Sequence, residues 1–306
     1  MYQMMERILA FANMNLAWAE VQDGGQTPGV DHWTTRRFQR QWESNLRNLI
    51  EEVKGNRYQP SPLRIRSMPK KAGGRRRLGI PTLRDRILQR AALQVLGPKL
   101  DRKFLSCSYG YRPRRSIFHA VTAILKYRDR GLRWVLDADI DEFFDSLDQE
   151  LLWGLVQREV RDKAVLRLLA LWLEVGVVDR RRGKGVSQGM PISPLLSNLY
   201  LHEMDWQLVR RRWTLVRYAD DFILLVRNED MARRARKVVA DILADLRLTL
   251  EPSKTRITNF DEGFAFLGVR FEEDQYSYTW QNKRITVEGN PGPLWSLWNS
   301  FPHGYE

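Results

Sequence analysis

Two apolar runs, Trp213 to Tyr218 and Phe222 to Arg227, are separated by only Ala219-Asp220-Asp221. A gap that short leaves antiparallel pairing as the economical arrangement, so the spacing predicts a β-hairpin with two adjacent carboxylates at its tip. Such neighbours repel each other and gain nothing from burial. A solvated turn is the ordinary explanation of an isolated Asp-Asp. A divalent cation is the other explanation, and the surrounding sequence weighs between the two.

Arg133 to Ile140 reads as a further strand, and the acids thicken at its end. From Asp137 to Glu150 there are seven acids (Asp137, Asp139, Asp141, Glu142, Asp145, Asp148, Glu150) and no Lys or Arg. Some of these can simply face water, but crowded carboxylates favour a cation among them. If the strands share a sheet, Asp139 lies beside the hairpin tip, and three carboxylates from two distant segments come together. Aspartates that leave coordination positions to phosphate oxygens and water match magnesium chemistry. Two such ions ~3.5–4 Å apart can activate an attacking hydroxyl and stabilise a leaving oxygen.

The charge balance points to a polyanionic partner. Of 306 residues, 50 are Lys or Arg and 37 Asp or Glu, a formal net charge of +13. Residues 57–130 alone carry 20 Lys+Arg against Asp85, Asp101 and Asp129, so the surplus belongs to one block that also holds Tyr58, Tyr109, Tyr111 and Phe118. A basic stretch with interleaved aromatics suits a nucleic-acid backbone, with a solvated surface as the plainer alternative.

Composition narrows the remaining classes. A single cysteine, Cys107, and four histidines exclude an internal disulfide and a Cys-based zinc site. With 43% hydrophobic and 28% charged residues the chain is of ordinary globular type, and its length allows about two lobes. Apolar runs such as Phe222 to Val226 fall far short of a membrane span, and Met1 to Glu20 carries Glu6, Arg7 and Asn13 through any would-be leader core. A soluble, cytoplasmic protein is expected.

Helical spacing covers 4–20, 34–54, 87–100 and 117–128, with Ala72-Gly73-Gly74 as a hairpin tip in an extended basic segment. Asp148 caps a helix to about Val160, Lys163 to Val175 forms another, and Ser193-Pro194 reads as an N-cap and first-turn proline opening a helix to about Arg211. Met231 to Arg247 is amphipathic, and short strands follow to about Phe271. Strand, helices, two hairpin strands, helix, strand is an α+β plan, a split βαβ-type antiparallel sheet backed by helices.

Five stretches then carry a resemblance: Arg76 to Arg86 (RRLGIPTLRDR), Ser108 to Ser116 (SYGYRPRRS), Asp139 to Asp145 (DIDEFFD), Ser187 to Pro194 (SQGMPISP) and Tyr218-Ala219-Asp220-Asp221. Together, in this order over about residues 6–275, they resemble the motifs of reverse transcriptases of the bacterial group II intron-like lineage. The resemblance implies a right-hand polymerase with fingers and palm. It implies a helical extension at 1–56, basic fingers at 57–132, a palm at 133–275 with fingers-side helices at 148–190, and a short tail at 276–306 without a full thumb.

The resemblance also implies residue roles. Asp139, Asp220 and Asp221 are the catalytic, metal-binding acids, with the Ile140 carbonyl as an added ligand for two Mg2+ ions, Mn2+ being able to substitute. Lys70 and Arg76 hold the triphosphate, with Arg75 and Arg77 as alternatives within the run of arginines. Phe144 excludes a 2′-hydroxyl, a core phenylalanine being its alternative, and Gln188 contacts the incoming nucleotide. Arg84, Arg112, Arg114 and Arg115 contact the template, with surface salt bridging as the alternative, and Tyr218 packs near the primer end. The expected activity is RNA-directed DNA synthesis from dNTPs on an RNA template and nucleic-acid primer, in CRISPR spacer acquisition or antiphage defence. The Trp/Pro-rich tail is a docking segment for a protein partner. An RNA-binding scaffold and a template-independent nucleotidyltransferase are the alternatives on the same fold.

Overall fold

The computed structural model describes residues 3–24, 27–69, 75–280 and 283–289. Its elements run α1 (Gln3–Leu9), α2 (Phe11–Asp23), α3 (Thr35–Gln39), α4 (Trp42–Lys54), β1 (Arg64–Pro69), β2 (Arg75–Ile80), α5 (Leu83–Asp101), α6 (Ile117–Arg128), β3 (Trp134–Ala138), α7 (Phe143–Ser146), α8 (Gln149–Glu159), α9 (Lys163–Gly176), α10 (Ser193–Arg210), β4 (Thr214–Tyr218), β5 (Asp221–Val226), α11 (Glu229–Asp245), β6 (Arg256–Asn259), β7 (Phe264–Phe266), β8 (Val269–Glu272), β9 (Gln275–Trp280) and β10 (Lys283–Glu288). The class is α+β. Among the described residues no helix is long and apolar enough to cross a membrane. The chain divides into two compact units, Met1–Lys103 with Phe143–Tyr200, and Phe104–Glu142 with Leu201–Glu306.

In the first unit several helices start where a short polar side chain accepts a free N–H group of the first turn. Thr82 caps α5, Asp148 caps α8 through the Leu151 amide, and Asp162 caps α9 through the Ala164 amide. The two long helices expected at 4–20 and 34–54 are each broken. Ala10 is extended (φ −55°, ψ 129°), which separates α1 from α2, and Gln41 leaves the helical region between α3 and α4. Asp85 anchors the interior, accepting hydrogen bonds from Tyr58 Oη at 2.7 Å, Thr82 Oγ1 at 2.6 Å and the Ser61 amide at 3.1 Å. Burial pushes its carboxyl up, against those three donors.

β1 and β2 pair antiparallel from Arg64↔Ile80 to Pro69↔Arg75, and the expected tip Ala72-Gly73-Gly74 lies outside the described residues. The segment around Gln188 docks on β2: the Gly79 amide donates to the Gln188 carbonyl at 2.7 Å, and Leu78 bridges Gln188. Two glycines make this possible. Gly189 has φ +105°, and a Cβ there would stand 2.7 Å from the Gly79 oxygen, while a Cβ on Gly79 would meet the Ser187 hydroxyl. Ser193, expected as an N-cap, uses its hydroxyl to donate to the Ser187 carbonyl at 2.8 Å. That bond ties the loop to the start of α10.

The second unit is built on the sheet β4-β5-β3-β6, antiparallel throughout, which is the split βαβ plan. β3 lies between β5 and β6, and Phe222 to Val226 are all buried, as an unbroken apolar run requires of an inner strand. A second antiparallel sheet, β10-β9-β8-β7, follows. The short tail expected from residue 276 is therefore corrected, because that boundary falls inside β9. Tyr276 and Tyr278 are buried there in a core with Phe260, Phe264 and Phe271, and this apolar burial makes the segment a strand. Residues 290–306, the remainder of that expected tail, lie outside the described residues.

Arg217 on β4 and Asp205 on α10 are both fully buried and joined by two bonds, Nε to Oδ1 at 2.7 Å and Nη2 to Oδ2 at 2.6 Å. Burial works against the guanidinium charge, but Asp205 more than offsets it, so the Arg217 pKa lies above its ordinary value. Removing one partner leaves the other charge buried alone. Asp205→Ala should cost about 3–5 kcal/mol, read as a lowered urea midpoint for the second unit. Gly189→Ala should cost about 1–3 kcal/mol in the first unit, since a side chain at that φ is strained; an unchanged midpoint would show that the loop is not seated on β2.

Candidate active site

The hairpin tip is tighter than its sequence suggests. Tyr218 pairs with Asp221, so Asp221 opens β5 and the loop shrinks to Ala219-Asp220, two residues where three were expected. Ala219 alone of the two has a positive φ, +58°, at the loop position where type II′ hairpins take glycine. An alanine there costs about 1–2 kcal/mol. Its neighbours hold it: Arg217 Nη1 donates to the Ala219 carbonyl at 2.8 Å, and a Cβ on Gly110 would strike the Ala219 nitrogen.

The β3–β5 register is Trp134↔Val226 through Ala138↔Phe222, so Asp139 and Asp221 are the residues that flank the last pair, close enough for the Asp139 charge to act on Asp221. Backbone bonds fix the segment after β3. The Glu251 amide donates to the Asp139 carbonyl at 2.9 Å, the Asp141 amide donates to the Thr249 carbonyl at 3.0 Å, and Ile140, buried, bridges Leu250. The Asp139 carboxylate carries an ion pair with Lys254, and Asp137 one with Arg256 at 3.2 Å. Withdrawal of its carboxyl from solvent pushes Asp221 up to about 7, with repulsion from Asp220, Asp139 and Asp137 added and Lys254 opposing.

Among the described residues no three His, Cys, Asp or Glu side chains converge closely enough to hold an ion as they stand. The carboxylates act on one another through charge, and an ammonium is the cation on Asp139. The donor set nonetheless fits a hard divalent cation: oxygen ligands only, with Asp220, Asp139 and Asp137 all repelling the charge on Asp221.

The residues expected to bind the nucleotide lie in the first unit. Strand alternation separates the three arginines of β2. Arg75 donates to Ser67 Oγ at 2.6 Å, Arg77 lines a cavity of about 200 Å³ with Asp145, Arg180 and Ser187, and Arg76 is exposed on the opposite face. Lys70 lies outside the described residues. Gln188 is fixed by its carbonyl to β2, and the backbone approach that Gly189 permits is toward the Gly79 carbonyl. Phe144 is 7% exposed against 3% for Phe143, and the two rings meet edge-on at 5.3 Å. A Val186 amide donates to the Phe144 carbonyl at 2.7 Å.

The expected template contacts divide. Arg112 is a correction: it is buried, with Nη1 donating to the Leu105 carbonyl at 2.6 Å and the Ser108 carbonyl at 3.0 Å, so it braces its own loop. Arg84 pairs with Glu52 at the surface, the alternative weighed for it. Arg115 donates to the Ser106 carbonyl at 2.8 Å and lies over Tyr109, while Arg114 is exposed at φ +59°. Tyr218 is half-buried at the end of β4 beside Gly110. Sequence reasoning missed Lys254 and Arg256, whose signal was two cations at the edge of a strand, and the Asp205–Arg217 pair, whose signal was an arginine inside an apolar run.

Comparison with known proteins follows the same lines. Residues 68–271 match the family model described as reverse transcriptase (RNA-dependent DNA polymerase). Protein YkfC of Escherichia coli (strain K12) is 35% identical over 298 residues, covering 83% of this chain and 78% of that protein. The group II intron-encoded protein LtrA of Lactococcus lactis subsp. cremoris is 33% identical over 187 residues, which is 60% of this chain and 31% of LtrA. The chain thus spans less than a third of LtrA. In fold it is similar to apo telomerase from Candida tropicalis, with a TM-score of 0.55 at 15% identity over 76% of this chain and 52% of that one. The chain belongs to the reverse transcriptase (RNA-dependent DNA polymerase) family, among its group II intron-like members.

Proposed function

We propose that this chain extends a nucleic-acid primer with dNTPs on an RNA template by two-metal nucleotidyl transfer. One observation supports the reading: the β3–β5 register ends at Ala138↔Phe222, directly beside Asp139 and Asp221, with Asp220 on the adjoining turn. Asp139, Asp220 and Asp221, with the Ile140 carbonyl, would hold two Mg2+ ions, for which Mn2+ can substitute. Bound there, the ions lower the pKa of an attacking hydroxyl and offset phosphate charge.

The remaining roles belong to the protein's own groups. Arg76 offers a guanidinium fork to the triphosphate, and Lys70 an ammonium. Gln188 orients the incoming nucleotide from a loop locked to β2, and the Phe144 ring leaves no room for a 2′-hydroxyl. Arg84, Arg114, Arg115 and Tyr218 contact template and primer. Residues 57–132 serve as fingers and the chain from residue 133 as palm, with the helices of 148–190 on the fingers side and 1–56 as a helical extension. A protein partner docks on the Trp/Pro-rich tail. The resemblance of the sequence supports a cytoplasmic setting in spacer acquisition or antiphage defence.

The decisive measurement is dNTP incorporation on a primed RNA template. Asp221→Ala, and separately Asp220→Ala, should reduce incorporation to background while the variant melts near the parent protein. Undiminished synthesis would discard the site, and RNA binding that persists without any synthesis in the parent protein would favour the scaffold.

Charge gives an independent test. The Asp221 carboxyl is raised from 3.8 to about 7 in the folded chain, so folding favours its protonated form. Its contribution to stability is present at low pH and is lost as pH rises through about 7. Without divalent ions the melting temperature should therefore fall between about pH 5 and about pH 8, and added Mg2+ should raise it more at the higher pH. Asp221→Asn should remove that difference; a pH-independent Mg2+ effect would place the ion elsewhere.

A further inference from the structure

A buried ion pair is seldom the best way to fill a core. Well-packed apolar residues of similar volume often serve stability equally or better. Arg217 and Asp205 are nevertheless both fully enclosed, and their two-pronged contact leaves Nη1 directed away from the carboxylate. That third nitrogen donates to the Ala219 carbonyl at 2.8 Å, at the peptide that leads into Asp220. A methionine or leucine could fill the space but could not make this bond. A lysine could keep the charge, but it lacks the planar fork that reaches two acceptors in fixed directions.

The surroundings fix the arginine itself. Its amide donates to the Cys107 carbonyl at 2.8 Å, and its carbonyl accepts from the Tyr109 amide at 2.8 Å, so the 107–109 segment pairs with the free edge of β4. Gly110 then packs under the turn, where a Cβ would meet the Ala219 nitrogen and come within 3.0 Å of the Tyr218 carbonyl carbon. The turn is thus gripped by a backbone on one side and a guanidinium on the other. It needs that grip, since Ala219 holds a left-handed φ of +58° without being glycine.

We propose that Arg217, held by Asp205, is a positioning residue that locks the Ala219 peptide and so sets the direction from which Asp220 and Asp221 present their carboxylates. The inference rests on the reading that those two aspartates bind divalent ions. It assigns the buried pair to the site, at a distance from any substrate.

The test uses the full-length protein and Mn2+ as a spectroscopic probe, with free ion counted by electron paramagnetic resonance. The double variant Asp205→Leu/Arg217→Met replaces the pair by apolar volume, and Arg217→Lys keeps the charge but loses the fork. Both should weaken Mn2+ binding by about 10–100-fold, the usual range when a partner that orients a ligand is removed. Incorporation should lose kcat by a similar factor, with the dNTP KM little changed. The double variant should melt close to the parent, so that lost affinity is separated from lost stability. Should it fail to fold, Arg217→Lys alone carries the comparison. Parent-like Mn2+ affinity and kcat in folded variants would overturn the proposal and leave the pair a core element. Asp221→Ala separates the two readings. If it abolishes Mn2+ binding while the Arg217 variants retain it, the positioning role alone fails; if it leaves Mn2+ binding intact, the metal site fails first.

Discussion

Ala138 stands opposite Phe222, and that pairing cannot slip. Val135, Leu136 and Ala138 on β3 and Phe222 to Val226 on β5 are buried, so both faces of the pair are packed, and a shift of one residue would exchange every side chain of a strand between two differently shaped interiors. The same pairing decides which acids lie at the end of the sheet. Apolar burial thus bears on a polar site: the register is held by residues that do no chemistry, and the ladder in which Leu136 faces Leu224 ends at Ala138 and Phe222, directly beside Asp139 and Asp221.

A second constraint of this kind operates in the first unit. The Gln188 carbonyl reaches β2 only because neither Gly79 nor Gly189 has a side chain, and Ser193 reaches back to hold the loop from α10. In both units a residue that could touch a substrate is placed by backbone contacts, which side-chain fluctuation disturbs least. Loop residues presented from rigid elements are the usual way for a fold to carry a site.

What was legible in the sequence was what depends on near neighbours in the chain. The β4–β5 hairpin, the α6 boundaries at Ile117 and Arg128, the cap at Asp148 and the start of α9 at Lys163 are local and appear where expected. What escaped depends on partners far away. The resemblance implies a template contact at Arg112, yet the Leu105 and Ser108 carbonyls claim it. Arg217 reads as an interruption of an apolar strand, and only the fold supplies Asp205. The break at Ala10 leaves the apolar spacing on either side intact, so periodicity alone could not reveal it. β9 and β10 were passed over because their Tyr-Ser-Tyr alternation lies beyond the last recognisable motif.

The ammonium of Lys254 on the Asp139 carboxylate has a further meaning. Any other cation that takes up that oxygen meets an ammonium already there, and either shares the carboxylate with it or displaces it. In either case the newcomer's hold is weakened by the positive charge beside it. Residue 254, on the loop stitched to β3 through Glu251 and Thr249, carries that charge.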